Sequence, residues 1–98
     1  MKLPGDCMSI DEIREAIDTI DQEVIRLLGA RYKYVKEVVR FKEPNEESII
    51  ARERFNSVIA SRRKMAEKEG IDPEIVEKIY RDLLNHFIEI ELKLIRDK

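Results

Sequence analysis

Cysteine, histidine and proline are all scarce in this sequence, and each scarcity excludes something. Cys7 is the only cysteine, so an internal disulfide and a thiolate metal cage are both ruled out. It sits in a polar amino-terminal lead and reads as an ordinary thiol. His86 is the only histidine. No triad or metal constellation surrounds it, and it reads as a surface or subunit-contact residue. Nucleophilic and metal-dependent catalysis therefore have no support, and neither a metal ion nor a cofactor is expected. No proline falls between Pro4 and Pro44, so a long helix can run there without a break. No apolar run is long enough for a membrane span or a signal-peptide core, which points to the cytoplasm and to no membrane partner. Strand alternation, internal repeats and low-complexity tracts are missing too.

A charge excess of one sign is also lacking. The 19 basic and 21 acidic side chains leave a net charge of −2, so nothing favours nucleic acid as a partner. The short basic run Arg62, Arg63, Lys64 reads as a solvated face. With 41% charged and 43% apolar residues, the composition fits helices that each carry one apolar stripe. A length of 98 residues predicts one domain, spanning 1–98.

What is present is dominated by residues 9–42. Apolar side chains fall at Ile10, Ile13, Ile17, Ile20, Val24 and Leu27, then at Tyr34, Val38 and Phe41. Steps of three and four are the seam of a helix packed lengthwise on others. Ser9 with Glu12 forms a capping box, and Met8 and Ile13 are spaced for a hydrophobic staple. A second helix is predicted at roughly 49–69, capped by Ser48 and ended by Gly70. A third follows from Asp72 as cap and Pro73 as first residue to about residue 97. The fold class is thus all-α, with three helices of which one is very long.

At about 1.5 Å per residue the first helix is roughly 50 Å long, the second about 30 Å and the third under 40 Å. Two shorter helices cannot cover a seam of that length, and a large uncovered apolar patch is unfavourable in water. An intertwined helical homodimer, with the long helices side by side, removes the difficulty.

Polar groups interrupt the apolar stripes at a few places. Arg31 takes a seam position, with Leu27, Leu28, Tyr34 and Val35 one turn away. A guanidinium there needs an anionic partner, either a protein carboxylate or a ligand, because leaving it buried and unpaired costs several kcal/mol. Lys42 lies eleven residues further on, on nearly the same face if the helix continues. Glu91 has Phe87, Ile88, Leu94 and Ile95 as helical neighbours. Burial would raise its pKa and a nearby cation would lower it. Arg14 lies beside the seam, next to Ile10 and Ile17 and near Asp11 and Asp18. Two readings stand at this point. Arg31 and Glu91 form a structural ion pair with Lys42 as a helix-end lysine, or the basic groups converge on a small anion.

The segments IREAIDTID with Arg14, RYKYVKEVVRFK with Arg31 and Lys42, and IARERF with Arg52 and Glu53 resemble the all-α chorismate mutase family. The likeness extends over essentially the whole chain. The lead KLPGDCMSIDEIREAID together with YVKEVVRFK is most similar to the isochorismate pyruvate-lyase branch of salicylate and siderophore synthesis. The resemblance implies an intertwined dimer with two active sites, in which Arg14 crosses to join Arg31, Lys42 and Glu91 of the partner chain. Helix geometry agrees: Arg14 and Lys42 are 28 residues apart, or roughly 42 Å on one straight helix, too far to share one small molecule within a chain.

By the same resemblance the substrate is a dicarboxylate with an enolpyruvyl ether, chorismate or isochorismate, and the reaction is pericyclic. Arg14 and Arg31 would hold carboxylates, Lys42 would donate to the ether oxygen, Glu53 would take the ring hydroxyl and Arg52 would support it. Two departures from the family pattern bear on this. Many members have glutamine at the position of Glu91, and a carboxyl group can donate a hydrogen bond only when protonated. Arg52 directly before Glu53 is mutase-like, whereas the lyase branch often has proline there. The expected function is isochorismate pyruvate-lyase with chorismate mutase activity. The alternatives are a dedicated chorismate mutase and, from another class, a non-catalytic helical dimer or a metabolite-binding regulatory domain.

Overall fold

The computed structural model describes residues 2–97, and these are helical apart from short connections. After a 3-10 turn at Pro4–Asp6, the chain forms α1 (Ile10–Val38), a second 3-10 turn (Val39–Phe41), α2 (Glu46–Ile50), α3 (Arg52–Lys68) and α4 (Pro73–Arg96). It divides into two compact units, one reaching to Val35 and the other starting at Lys36. Among the described residues no helix is long and apolar enough to cross a membrane.

The start of α1 follows from its capping residues. The Glu12 N–H donates to Ser9 Oγ at 3.2 Å, and the Glu12 carboxylate reaches back to the Met8 N–H at 2.7 Å. That backbone donor, and then Lys2, hold the Glu12 carboxyl below its ordinary value. The staple is not closed, since Met8 is 84% exposed. The seam residues Ile10, Ile13, Ile17, Ile20, Val24 and Leu27 are all exposed in the single chain, Ile17 by 49%.

The end of α1 differs from the expected continuous helix to Lys42. The last turn tightens into the 3-10 turn Val39–Phe41. Lys42 is then extended (φ −97°, ψ 148°), its N–H closing onto the Val39 carbonyl. Pro44 contributes, because a proline disfavours helical backbone in the residue before it, Glu43, and the helix has to end ahead of that point. Val39 is buried, while Phe41 is 81% exposed like the rest of the seam.

The predicted second helix is two helices. Asn45, not Ser48, is the cap: its side chain accepts the Ser48 N–H at 2.8 Å. Glu46 and Glu47 then fall in the first turn, where the helix dipole favours acids. Ser48 lies inside α2 and its hydroxyl accepts the Glu43 N–H at 3.1 Å. Ala51 adopts a left-handed conformation (φ 45°, ψ 62°) that ends α2, and α3 begins at the next residue.

α3 and α4 form a helical hairpin. Gly70, at φ +76°, closes α3 with a Schellman pair. The Ile71 N–H donates to the Ala66 carbonyl at 2.9 Å and the Gly70 N–H to that of Glu67 at 3.2 Å. The Asp72 side chain accepts the Glu74 N–H and Pro73 takes the first position of α4. Val58, Ile59 and Ala66 of α3 and Phe87 of α4 are buried. At the polar edge, Arg63 bridges to Glu77 at 2.7 Å and to Glu74 at 3.0 Å, and Arg81 also reaches Glu77 at 2.7 Å. Arg81 and then Arg63 hold the Glu77 carboxyl below its ordinary value. The short α2 packs on α4 through Ile49, which is 1% exposed.

Candidate active site

Lys42 and Glu91 are 49 residues apart in sequence, and the carboxy-terminal unit brings them together. The Lys42 ammonium lies 3.2 Å from Glu91 Oε2 and donates to the Ile49 carbonyl at 2.9 Å. Glu91 is 5% exposed and is the buried charged residue among those described. It reaches this position because α4 places it one turn after Phe87, on the buried stripe of the helix. Lys42 reaches it because the chain leaves helical geometry at residue 42 and extends.

Two opposed influences act on Glu91. Burial favours the neutral acid, and the adjacent ammonium favours the carboxylate. Burial is the larger, and the Glu91 carboxyl is held above its ordinary value. The chemistry available is therefore a cation beside a carboxyl group disposed to keep its proton. Such a pair can present two hydrogen-bond donors to one oxygen atom.

Arg52 and Glu53 open α3 and are both exposed. Arg52 lines a cavity of about 360 Å³ with Phe55, Asn56, Arg81, Asn85 and Ile88. Glu53 faces a shallower depression of about 740 Å³ at the α2–α3 bend. Arg14 and Arg31 belong to the amino-terminal unit, where Arg14 is exposed and Arg31 half-buried on α1. Glu91 thus has Lys42 as an ion-pair partner, the pairing that the structural alternative had assigned to Arg31. Among the described residues, no group of three or more His, Cys, Asp or Glu side chains converges in a way that could hold a metal ion.

The description "Chorismate mutase type II" covers the family model that matches residues 13–92. The chain belongs to this family. Curated relatives extend the match. Isochorismate pyruvate lyase of Pseudomonas aeruginosa is 39% identical over 93 residues, covering 95% of this chain and 91% of the relative. A chorismate mutase of Methanocaldococcus jannaschii is 31% identical over 75 residues, 76% of each chain. The T-protein of Enterobacter agglomerans is 36% identical over 72 residues, 74% of this chain but 19% of that longer protein.

Within this chorismate mutase type II domain, sequence reasoning missed the Ile49 carbonyl and the turn at Ala51. A signal was present. At about 100° per residue, neither Ile49 nor Ile50 falls on the stripe formed by Val58, Ile59 and Ala66, so an unbroken helix could not bury both sets. The phase error announces a break between Ile50 and Phe55.

Proposed function

We propose that this chain is a homodimeric pericyclic enzyme acting on chorismate or isochorismate, with isochorismate pyruvate-lyase as its main activity and chorismate mutase activity beside it. The observation that carries the proposal is the pairing of half-buried Lys42 with buried Glu91 in a chain of this family. A pericyclic reaction needs no base, metal or covalent intermediate. It needs the substrate held in a compact conformer and the charge growing on the ether oxygen stabilised. Lys42 and protonated Glu91 are suited to that oxygen. Arg31, and Arg14 from the partner subunit, are suited to the two carboxylates through their planar forks. Glu53 would take the ring hydroxyl and Arg52 would support it. In the lyase reaction the bond between the ring carbon and the ether oxygen breaks as the hydrogen on the neighbouring hydroxyl-bearing ring carbon passes to the enolpyruvyl methylene. The ether oxygen leaves as the keto oxygen of pyruvate, and the ring becomes aromatic salicylate.

The exposed apolar seam of α1 supports the homodimer, since pairing two such helices takes the seam out of water. The family match across 13–92 supports reading both compact units as one catalytic domain, and a cytoplasmic setting is part of the same proposal. A dedicated chorismate mutase is the second reading, favoured by Arg52 directly before Glu53 and by the methanococcal relative. The deciding experiment is incubation with chorismate and isochorismate separately. Salicylate and pyruvate from isochorismate support the first reading. Prephenate alone supports the second, and no turnover of either compound overturns both.

A further inference from the structure

Ala51 is the one non-glycine residue with positive φ among those described. A left-handed backbone is unfavourable for a residue that carries a Cβ, so its retention calls for a compensating gain elsewhere. In an unbroken helix the Ile49 carbonyl would accept the N–H of residue 53. Instead, the Ala51 N–H closes α2 onto the Glu47 carbonyl at 3.0 Å, and the Phe55 N–H starts α3 on the Ala51 carbonyl at 2.9 Å. The Ile49 carbonyl thereby leaves the helical ladder, and the Lys42 ammonium takes it at 2.9 Å. Ile49 is 1% exposed, and a carbonyl left unsatisfied at a site so closed to water is destabilising. An ammonium has three N–H donors. The Ile49 carbonyl and Glu91 engage two of them, which fixes a flexible side chain before any ligand arrives.

We propose that Ala51 is a positioning residue: its left-handed turn turns the Ile49 carbonyl toward Lys42, and that carbonyl sets the ammonium against Glu91. The catalytic consequence rests on the pericyclic function proposed above, but the geometric claim does not. The test compares residues by their tolerance of left-handed backbone at matched size. Ala51→Gly and Ala51→Asn accept that conformation, whereas Ala51→Leu and the β-branched Ala51→Val resist it. Both resisting variants are made so that one failing to fold leaves the other, with folding checked by circular dichroism. Ala51→Gly and Ala51→Asn should keep kcat within about twofold. The resisting variants should lose kcat by about ten- to a hundredfold, the scale of a small misplacement of a catalytic group, with KM nearly unchanged. Independently of activity, the Glu91 carboxyl is titrated by 13C NMR, its signal assigned by difference from Glu91→Gln. Its pKa should rise in Ala51→Leu, because the ammonium no longer lowers it, and stay put in Ala51→Asn. Equal losses in Asn and Leu variants, or an unchanged Glu91 titration in a folded Ala51→Leu protein, would overturn the proposal. An inactive wild type with the expected NMR shifts would instead overturn the enzymatic reading and leave the positioning role standing.

Discussion

The Lys42 ammonium and the Glu91 carboxyl group lie 3.2 Å apart, with 21% and 6% of their side chains exposed. Removing the ammonium therefore alters the proton affinity of the Glu91 carboxyl, and a Lys42 variant has to be judged on that count as well as on the loss of its own contact.

Lys42→Ala should reduce kcat far more than it weakens a stable dicarboxylate analogue, because charge on the ether oxygen develops mainly in the transition state. The loss of the ammonium also raises the Glu91 pKa further. Urea denaturation should therefore show Lys42→Ala to be destabilised more at pH 8 than at pH 5. Exposed Lys36 is the control, and Lys36→Ala should leave the rate within about twofold, as for an ordinary surface change. Equal rate effects at the two lysines would remove Lys42 from its role.

Glu91 should impose an alkaline limb on turnover. In the proposed reaction the active form is the acid, so kcat should fall as pH rises through the Glu91 pKa in the bound complex. Glu91→Gln donates at every pH and should flatten that limb while keeping substantial activity near pH 8. The stability linkage has the same direction. The folded pKa is raised above the unfolded one, so this contribution is fully present below the unfolded value and is lost as pH rises through the folded value. A flat wild-type profile from pH 5 to 9, or a folded but inactive Glu91→Gln at all pH values, would leave the pair a structural one.

Arg14 should serve the site of the partner subunit. Sedimentation at micromolar concentration should give about twice the 11.6 kDa chain mass. Arg14→Ala and Arg31→Ala should each be nearly inactive. Mixed under conditions that exchange subunits, they should regain up to about a quarter of wild-type activity. Half of the dimers are then mixed, and each mixed dimer has one intact site. A folded monomer, or exchange without recovery, would refute the shared site.

The starts of α1 and α4 were legible because they depend on local chemistry, whereas the start of α2, expected at Ser48, is set by Asn45. Ser9 with Glu12 and Asp72 with Pro73 satisfy backbone N–H groups from a few residues away. Gly70 announces the end of α3 because its φ of +76° favours a residue without Cβ. The α2–α3 break was not read, because Ala51 is an excellent helix former held left-handed by its surroundings. Lys42 was read as a member of the long helix, and Pro44 ended that helix earlier. Its approach to Glu91 is tertiary: burial of Ile49 on α4 carries the loop inward. No periodicity in residues 9–42 encodes that. The direction of the Glu91 shift was open for the same reason, since it depends on how deep the carboxyl group lies.

The α3–α4 hairpin also sets an order of events. Its turn, residues 69–72, is closed by its own backbone and side-chain bonds at both ends. Its packing joins residues close in sequence, and low contact order makes for fast folding. That step is first-order and independent of concentration. In the proposed dimer the α1 stripe is covered only when a second chain arrives, which makes the later step second-order. Dilution would then slow the appearance of activity while leaving the early gain of helix signal unchanged.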